Sequence, residues 1–151
     1  MQNPEAFTSL GLLVEHLARE VSKVLPNDWP KTQAPKDLTD LFDFLAKCNQ
    51  VLEVDDKRLL ISVDEYENID QKIGQGTLPE DLLTTFRESI QSHRHIVWVF
   101  AGSHEITELI NAPWTSYFVS ARTIEMPLFS GRETRLLLTD PPQAFIALAQ
   151  R

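Results

Sequence analysis

Glycine is scarce in this 151-residue chain: there are five, at positions 11, 74, 76, 102 and 131. A loop that cradles phosphate needs glycines in a tight turn, so that backbone N–H groups can come up to the ligand. No Gly-x-x-x-x-Gly-Lys-[Ser/Thr] motif begins at any of the five. Cysteine is scarcer still. Cys48 is the one thiol, so no internal disulfide can form, and no Cys/His cluster has zinc-ligand spacing. Positive charge is also short: 14 Lys and Arg stand against 22 Asp and Glu, a formal net charge of −8. That balance argues against a nucleic-acid platform, whose affinity comes mostly from a basic face. The apolar runs are too short to cross a bilayer. Glu15, His16, Arg19 and Glu20 interrupt the N-terminal apolar residues where a signal peptide needs an unbroken core. A Gly-x-Ser-x-Gly nucleophile elbow is missing as well. The expectation is a soluble, cytoplasmic chain with no membrane or nucleic-acid partner.

What is present has the composition of a globular domain, with 42% hydrophobic and 24% charged residues, so bulk disorder is not expected. Leu10, Leu13, Val14, Leu17, Val21, Val24 and Leu25 recur at helical spacing, which predicts an amphipathic helix over 9–25. Pro26, Pro30 and Pro35 break it, leaving a loop over 27–36 in which Trp29 covers apolar surface. Asp37 is placed to cap a second helix, with Leu38, Leu41, Phe42 and Leu45 on one face, running to about Val51. Leu59–Val63 is a short run apolar on both faces that stops abruptly at Asp64-Glu65, the pattern of a buried parallel strand. Residues 66–76 are polar and contain Gly74 and Gly76, so they read as a loop. Thr77 and Glu80 have capping-box spacing, with Pro79 in the first turn, before a helix carrying Leu82, Leu83, Phe86 and Ile90. Ile96–Ala101 is the strongest strand signal and ends in Gly102-Ser103. A short helix is expected over 104–111, then a third extended segment within 116–126, best placed at Arg122–Met126. Ser130 and Glu133 repeat the capping-box spacing before a helix through Leu136, Leu137 and Leu138, which Pro141-Pro142 ends; the last eight residues fit one more short helix.

Strand, helix, strand, helix, strand is the order of βαβ units. The fold class expected is α/β, a three-layer-type parallel sheet with flanking helices. Ligands of such sheets sit beyond the carboxyl ends of the strands. Two of the predicted strands deliver polar residues there: Asp64-Glu65 and Ser103-His104. One carboxylate at a strand exit can hold a hydrated Mg²⁺ while its neighbour polarises water, the two roles phosphoryl transfer needs. A hydroxyl at the next exit can reach a phosphate or the attacking water. The alternatives are a solvated acidic turn for Asp64-Glu65 and a helix N-cap for Ser103.

Arg58–Glu67, with Asp64-Glu65-Tyr66-Glu67 after its apolar run, resembles the Walker B segment of P-loop ATPases of the AAA+/STAND type. Val97–Ser103 resembles the strand that follows, with its sensor-1 polar residue. Tyr117–Ser130 and then Arg135–Pro141 resemble the last core strand and the start of the helical lid. The resemblance spans about residues 58–141 and rests on order and spacing more than on one motif. It implies a partial P-loop NTPase (AAA+-like) core over 58–129, preceded by a helical segment over 1–57 and followed by the start of a lid over 130–151. It also implies ATP and Mg²⁺ as ligands of an intact parent ATPase, Asp64 as the magnesium-supporting carboxylate, Glu65 as the water-activating one and Ser103 as the sensor. Arg122 would be an arginine finger or phosphate sensor; on its residues alone it is a solvated surface arginine.

The chain departs from that family in lacking the phosphate-cradling loop, so it reads as an ATPase fragment inactive by itself. In the family's sheet the P-loop strand separates the strand ending at Ser103 from the one beginning near Arg122. Without it, open sheet edges are expected to make the last strand rearrange or the chain self-associate. The partners expected are ATP and attached domains or other protein subunits. A second reading is a noncatalytic protein–protein interaction module, in which the acidic strand ends are a solvated rim. His16, His93, His95 and His104 lack metal-site spacing and are expected at the surface or in caps. Trp98 is expected in the core, and Trp114, after Pro113, in a loop able to pack on a neighbouring domain.

Overall fold

The first two helices of this chain start where a side chain takes over an unpaired backbone amide. In the computed structural model, which describes residues 7–25, 34–119 and 121–139, Ser9 accepts from the Leu12 amide to open α1 (Leu10–Ser22). Asp37 accepts from the Asp40 amide at 2.8 Å to open α2 (Leu38–Val54), as its position predicts. There follow β1 (Leu59–Asp64), α3 (Glu67–Gly74), α4 (Asp81–Ser92), β2 (Ile96–Ala101), a 3-10 turn at Ile106–Glu108, α5 (Trp114–Tyr117) and α6 (Gly131–Thr139). The chain divides into two compact units, Met1–Val119 and Ser120–Arg151. The expected Pro26–Pro30 break with Trp29, the Pro141-Pro142 stop and the final short helix lie outside the described residues.

In the first unit, β1 and β2 pair in parallel, with Leu59 opposite Ile96 and Asp64 opposite Ala101. The class is therefore mixed α/β, with a small two-stranded parallel sheet and helices. Alternation sorts the strand residues. Leu59, Ile61, Val63 and Ile96 are buried, with Trp98 and Phe100 partly buried beside them. Leu60, Val97 and Val99, on the other face, are 64%, 42% and 41% exposed. The buried face meets two apolar clusters. Val14, Leu17, Val21, Leu41, Leu45 and Leu52 of α1 and α2 lie over Leu59, Ile61 and Ile96. Ile69, Leu82, Leu83, Phe86, Trp114 and Phe118 gather with Val63, and Trp98 touches both clusters. Within the first unit helices thus cover one face of the sheet, where apolar residues on both faces of β1 had suggested a fully buried strand.

Local differences from the expectations have plain causes. Residues 67–74 form α3 rather than a loop: Tyr66, Ile69 and Ile73 make an apolar stripe, with Glu67 and Asp70 in the first turn and Lys72 in the last, as the helix dipole favours. The glycines mark its end. Gly76 takes φ +71, its amide donates to Ile73 O and that of Thr77 to Lys72 O, closing a Schellman cap. Thr77 and Glu80 form no capping box; α4 is entered through a backbone turn, Leu82 N donating to Pro79 O. Only the 3-10 turn forms within 104–111. Trp114 is 1% exposed and stacks on Phe118 at 5.4 Å, so it is core rather than a loop aromatic free for another domain. His16 is buried rather than superficial, and His93 is the C-cap of α4, as a capping role predicts, but is buried as well.

In the second unit, residues 121–130 adopt no helix or strand, so the third strand expected at Arg122–Met126 is not formed. An extended segment becomes a strand only when a neighbour takes up its backbone groups, and Ile124, Met126 and Leu128 are 77%, 89% and 97% exposed. The Ser130/Glu133 capping box does form: Glu133 N donates to Ser130 Oγ and Ser130 N to Glu133 Oε2.

Two buried polar groups hold the first unit's core together. The Asp70 carboxylate, 4% exposed, accepts from Asn111 Nδ2 at 2.7 Å, Trp114 Nε1 at 2.9 Å, Ala112 N at 3.2 Å and Asn111 N at 3.4 Å. It ties α3 to the segment before α5. Ser89, fully buried, accepts from Trp98 Nε1 at 3.0 Å and shares a hydrogen bond with His93 Nδ1, also at 3.0 Å. Burial pushes the His93 imidazole below its ordinary value of 6.5. Cys48 is buried among apolar groups that push its thiol up to about 12, far from nucleophilic.

Asp70→Ala strands several buried donors and should cost about 3 kcal/mol by urea denaturation. His93 carries a proton more readily in the unfolded chain than in the folded one. Stability should therefore be full above pH 6.5 and decline as pH falls below it. Denaturation series from pH 7 to pH 5 should show a shallower decline for His93→Gln than for the wild-type chain.

Candidate functional site at the strand exits

Because β1 and β2 are parallel and in register, both chains leave the sheet at the same end. Asp64 is the last residue of β1, half-buried, and its Oδ1 accepts from the Glu65 amide at 3.1 Å. Glu65 takes φ +53. Left-handed backbone is costly for a glutamate, and here it turns the chain from β1 into α3 within two residues. The Glu65 side chain is left exposed.

Tyr66 and Glu67 then fasten the end of β2. Tyr66 N donates to Ala101 O at 3.1 Å, and its hydroxyl donates to His104 O at 2.6 Å. Glu67 Oε1 accepts from the Ser103 amide at 3.0 Å and from the Ser103 hydroxyl at 2.7 Å. His104 Nδ1 lies 3.2 Å from Ser103 Oγ and 3.5 Å from Glu67 Oε1. Gly102 is required between them, since a Cβ there would collide with Glu67 Oε2 and the Tyr66 ring.

The two glutamates are driven apart in acidity. Burial pushes the Glu67 carboxyl up, but its hydrogen bonds, those from the Ser103 amide and hydroxyl among them, outweigh this and hold it at about 2. The Glu67 charge, above all, raises Glu65 above the ordinary carboxylate value. A carboxylate made more basic in this way is the better proton acceptor of the pair.

Asp64, Glu65 and Ser103 are thus brought to one end of one sheet. Arg122 lies in the second unit, exposed on the irregular 121–130 segment. Among the described residues no group of three or more His, Cys, Asp or Glu side chains is arranged to hold a metal ion. The oxygen donors at the exits suit a hard cation that keeps most of its waters, as magnesium does when one carboxylate and a phosphate hold it. No described helix is long and apolar enough to cross a membrane. The residue that composition and spacing undervalued is Glu67. Its signal was its place one residue past Tyr66, in the first turn of a helix that the polar sequence concealed. No protein-family model, curated protein or solved structure matches the chain.

Replacing Glu65 by Asn, which tolerates left-handed backbone, should raise stability by about 1 kcal/mol in thermal or urea unfolding.

Proposed function

We propose that this chain carries the magnesium- and water-handling half of an ATP-hydrolysing site of the P-loop, AAA+/STAND kind. The observation that carries the reading is the register of the parallel pair: Asp64 stands opposite Ala101, so Asp64-Glu65 and Ser103 emerge side by side. In this reading the sheet is part of a P-loop NTPase core. Asp64 supports Mg²⁺ through its waters, and Glu65, exposed and made more basic by Glu67, accepts a proton from the attacking water. Ser103 is the sensor at the neighbouring exit, within reach of a phosphate or the attacking water. The phosphate-cradling loop is not among these 151 residues and would come from another segment, so the chain by itself is inactive. Arg122 acts in the same reading as an arginine finger or phosphate sensor, and nucleotide state is passed to attached domains or other subunits.

A second reading is a noncatalytic protein–protein interaction module. It is favoured by the exposed apolar face of Leu60, Val97 and Val99 on a sheet that has two strands among the described residues. Kinetics separate the two. In the complete gene product, Glu65→Gln should leave MgATP affinity within a few-fold, because a neutral isostere keeps the shape of the site. Turnover should fall roughly 10²–10⁴-fold, the range for loss of a general base. Unchanged turnover would remove Glu65 from the reaction, and MgATP hydrolysis by the purified 151 residues would show that no further phosphate loop is needed.

A further inference from the structure

Glu67 is an odd residue to bury at a helix start. A glutamate in the first turn gains its dipole energy while fully solvated. This one has a side chain only 16% exposed. One of its oxygens, Oε2, is buried against Gly102 without a hydrogen-bond partner. Burying half a carboxylate unsatisfied is unfavourable, so the other half must do something that an exposed glutamate would not. What Oε1 does is take both donors of Ser103, the amide at 3.0 Å and the hydroxyl at 2.7 Å.

A serine hydroxyl has one proton and two lone pairs. With the proton committed to Glu67, only lone pairs remain to be turned toward the strand exits. We infer that Glu67 is a positioning residue: it holds the Ser103 proton and the 102–104 backbone, so that Ser103 meets its ligand as a hydrogen-bond acceptor. An acceptor at that place fits a donor, namely a water or the hydrated shell of a cation. It does not fit a phosphate oxygen, which itself needs a donor. His104 Nδ1, 3.2 Å from Ser103 Oγ, is the other group able to hand that oxygen a proton. The role rests on the nucleotide reading above and settles which of two contacts Ser103 makes in it.

The test is a double-mutant cycle in the complete gene product, with MgATP as substrate. Glu67→Ala should lower kcat on the order of 10²-fold while KM stays within about twofold, because a displaced hydroxyl spoils orientation rather than binding. Glu67→Gln keeps an oxygen that accepts from Ser103 and should recover most of that loss. Once Glu67 is Ala, Ser103→Ala should cost nothing further. Independent, additive losses would overturn the role, as would a Glu67→Ala variant that raises KM and spares kcat. A wild-type protein that does not turn over MgATP would overturn the nucleotide reading and the role with it. A second measurement separates the two failures: hydrogen exchange of the Ser103 amide in the 151-residue chain should be slow in wild type and Glu67→Gln and fast in Glu67→Ala. Equal rates in all three would refute the Glu67 contact even where the nucleotide reading holds.

Discussion

Two strands that run parallel cannot be joined by a tight turn; the chain must travel back along the sheet before the second begins. Between β1 and β2 that return is made by α3 and α4, and it dictates most of the first unit. Ile69, Leu82, Leu83 and Phe86, carried on the returning helices, bury the face that Val63, Trp98 and Phe100 present. It also sends both strand exits to the same end. Asp64-Glu65 and Ser103-His104, remote in sequence, become neighbours because their backbones are hydrogen-bonded in register.

Two carboxylates in the first turn of α3 illustrate opposite ways of burying charge. Asp70 is saturated by four N–H donors and belongs to the scaffold, fixing the segment that carries Trp114. Glu67 is satisfied at one oxygen and bare at the other. A saturated buried carboxylate needs no explanation beyond stability, whereas a half-satisfied one at a strand exit points to a task at its satisfied end. The left-handed Glu65 beside it belongs to the same economy of local cost and placement.

Much of the architecture was legible from local chemistry. Asp37 as a cap, Ser130 with Glu133 as a capping box, and both strands were readable because each depends on neighbours a few residues away or on an apolar run. The α3 helix was hidden, since its polar face and two glycines imitate a loop, and its stripe of Tyr66, Ile69 and Ile73 is short. The extended segment at Arg122–Met126 failed for the opposite reason: strand propensity is a statement about fitting against a partner, and none is formed there. Trp114 and His16 were misplaced because flanking residues say little about which side chains a core will enclose.

For the strand exits, residue order by itself determined which groups are present: Asp64, Glu65 and Ser103, at or just past the ends of apolar runs that read as strands. Tertiary structure alone decided what those groups touch. The bond between Glu67 and Ser103 joins residues 36 positions apart, and no periodicity encodes a contact between the first turn of one helix and the end of another strand. Nor does a string of residues say which way a hydroxyl proton points; that is set by the nearest acceptor in space, and here the acceptor is Glu67.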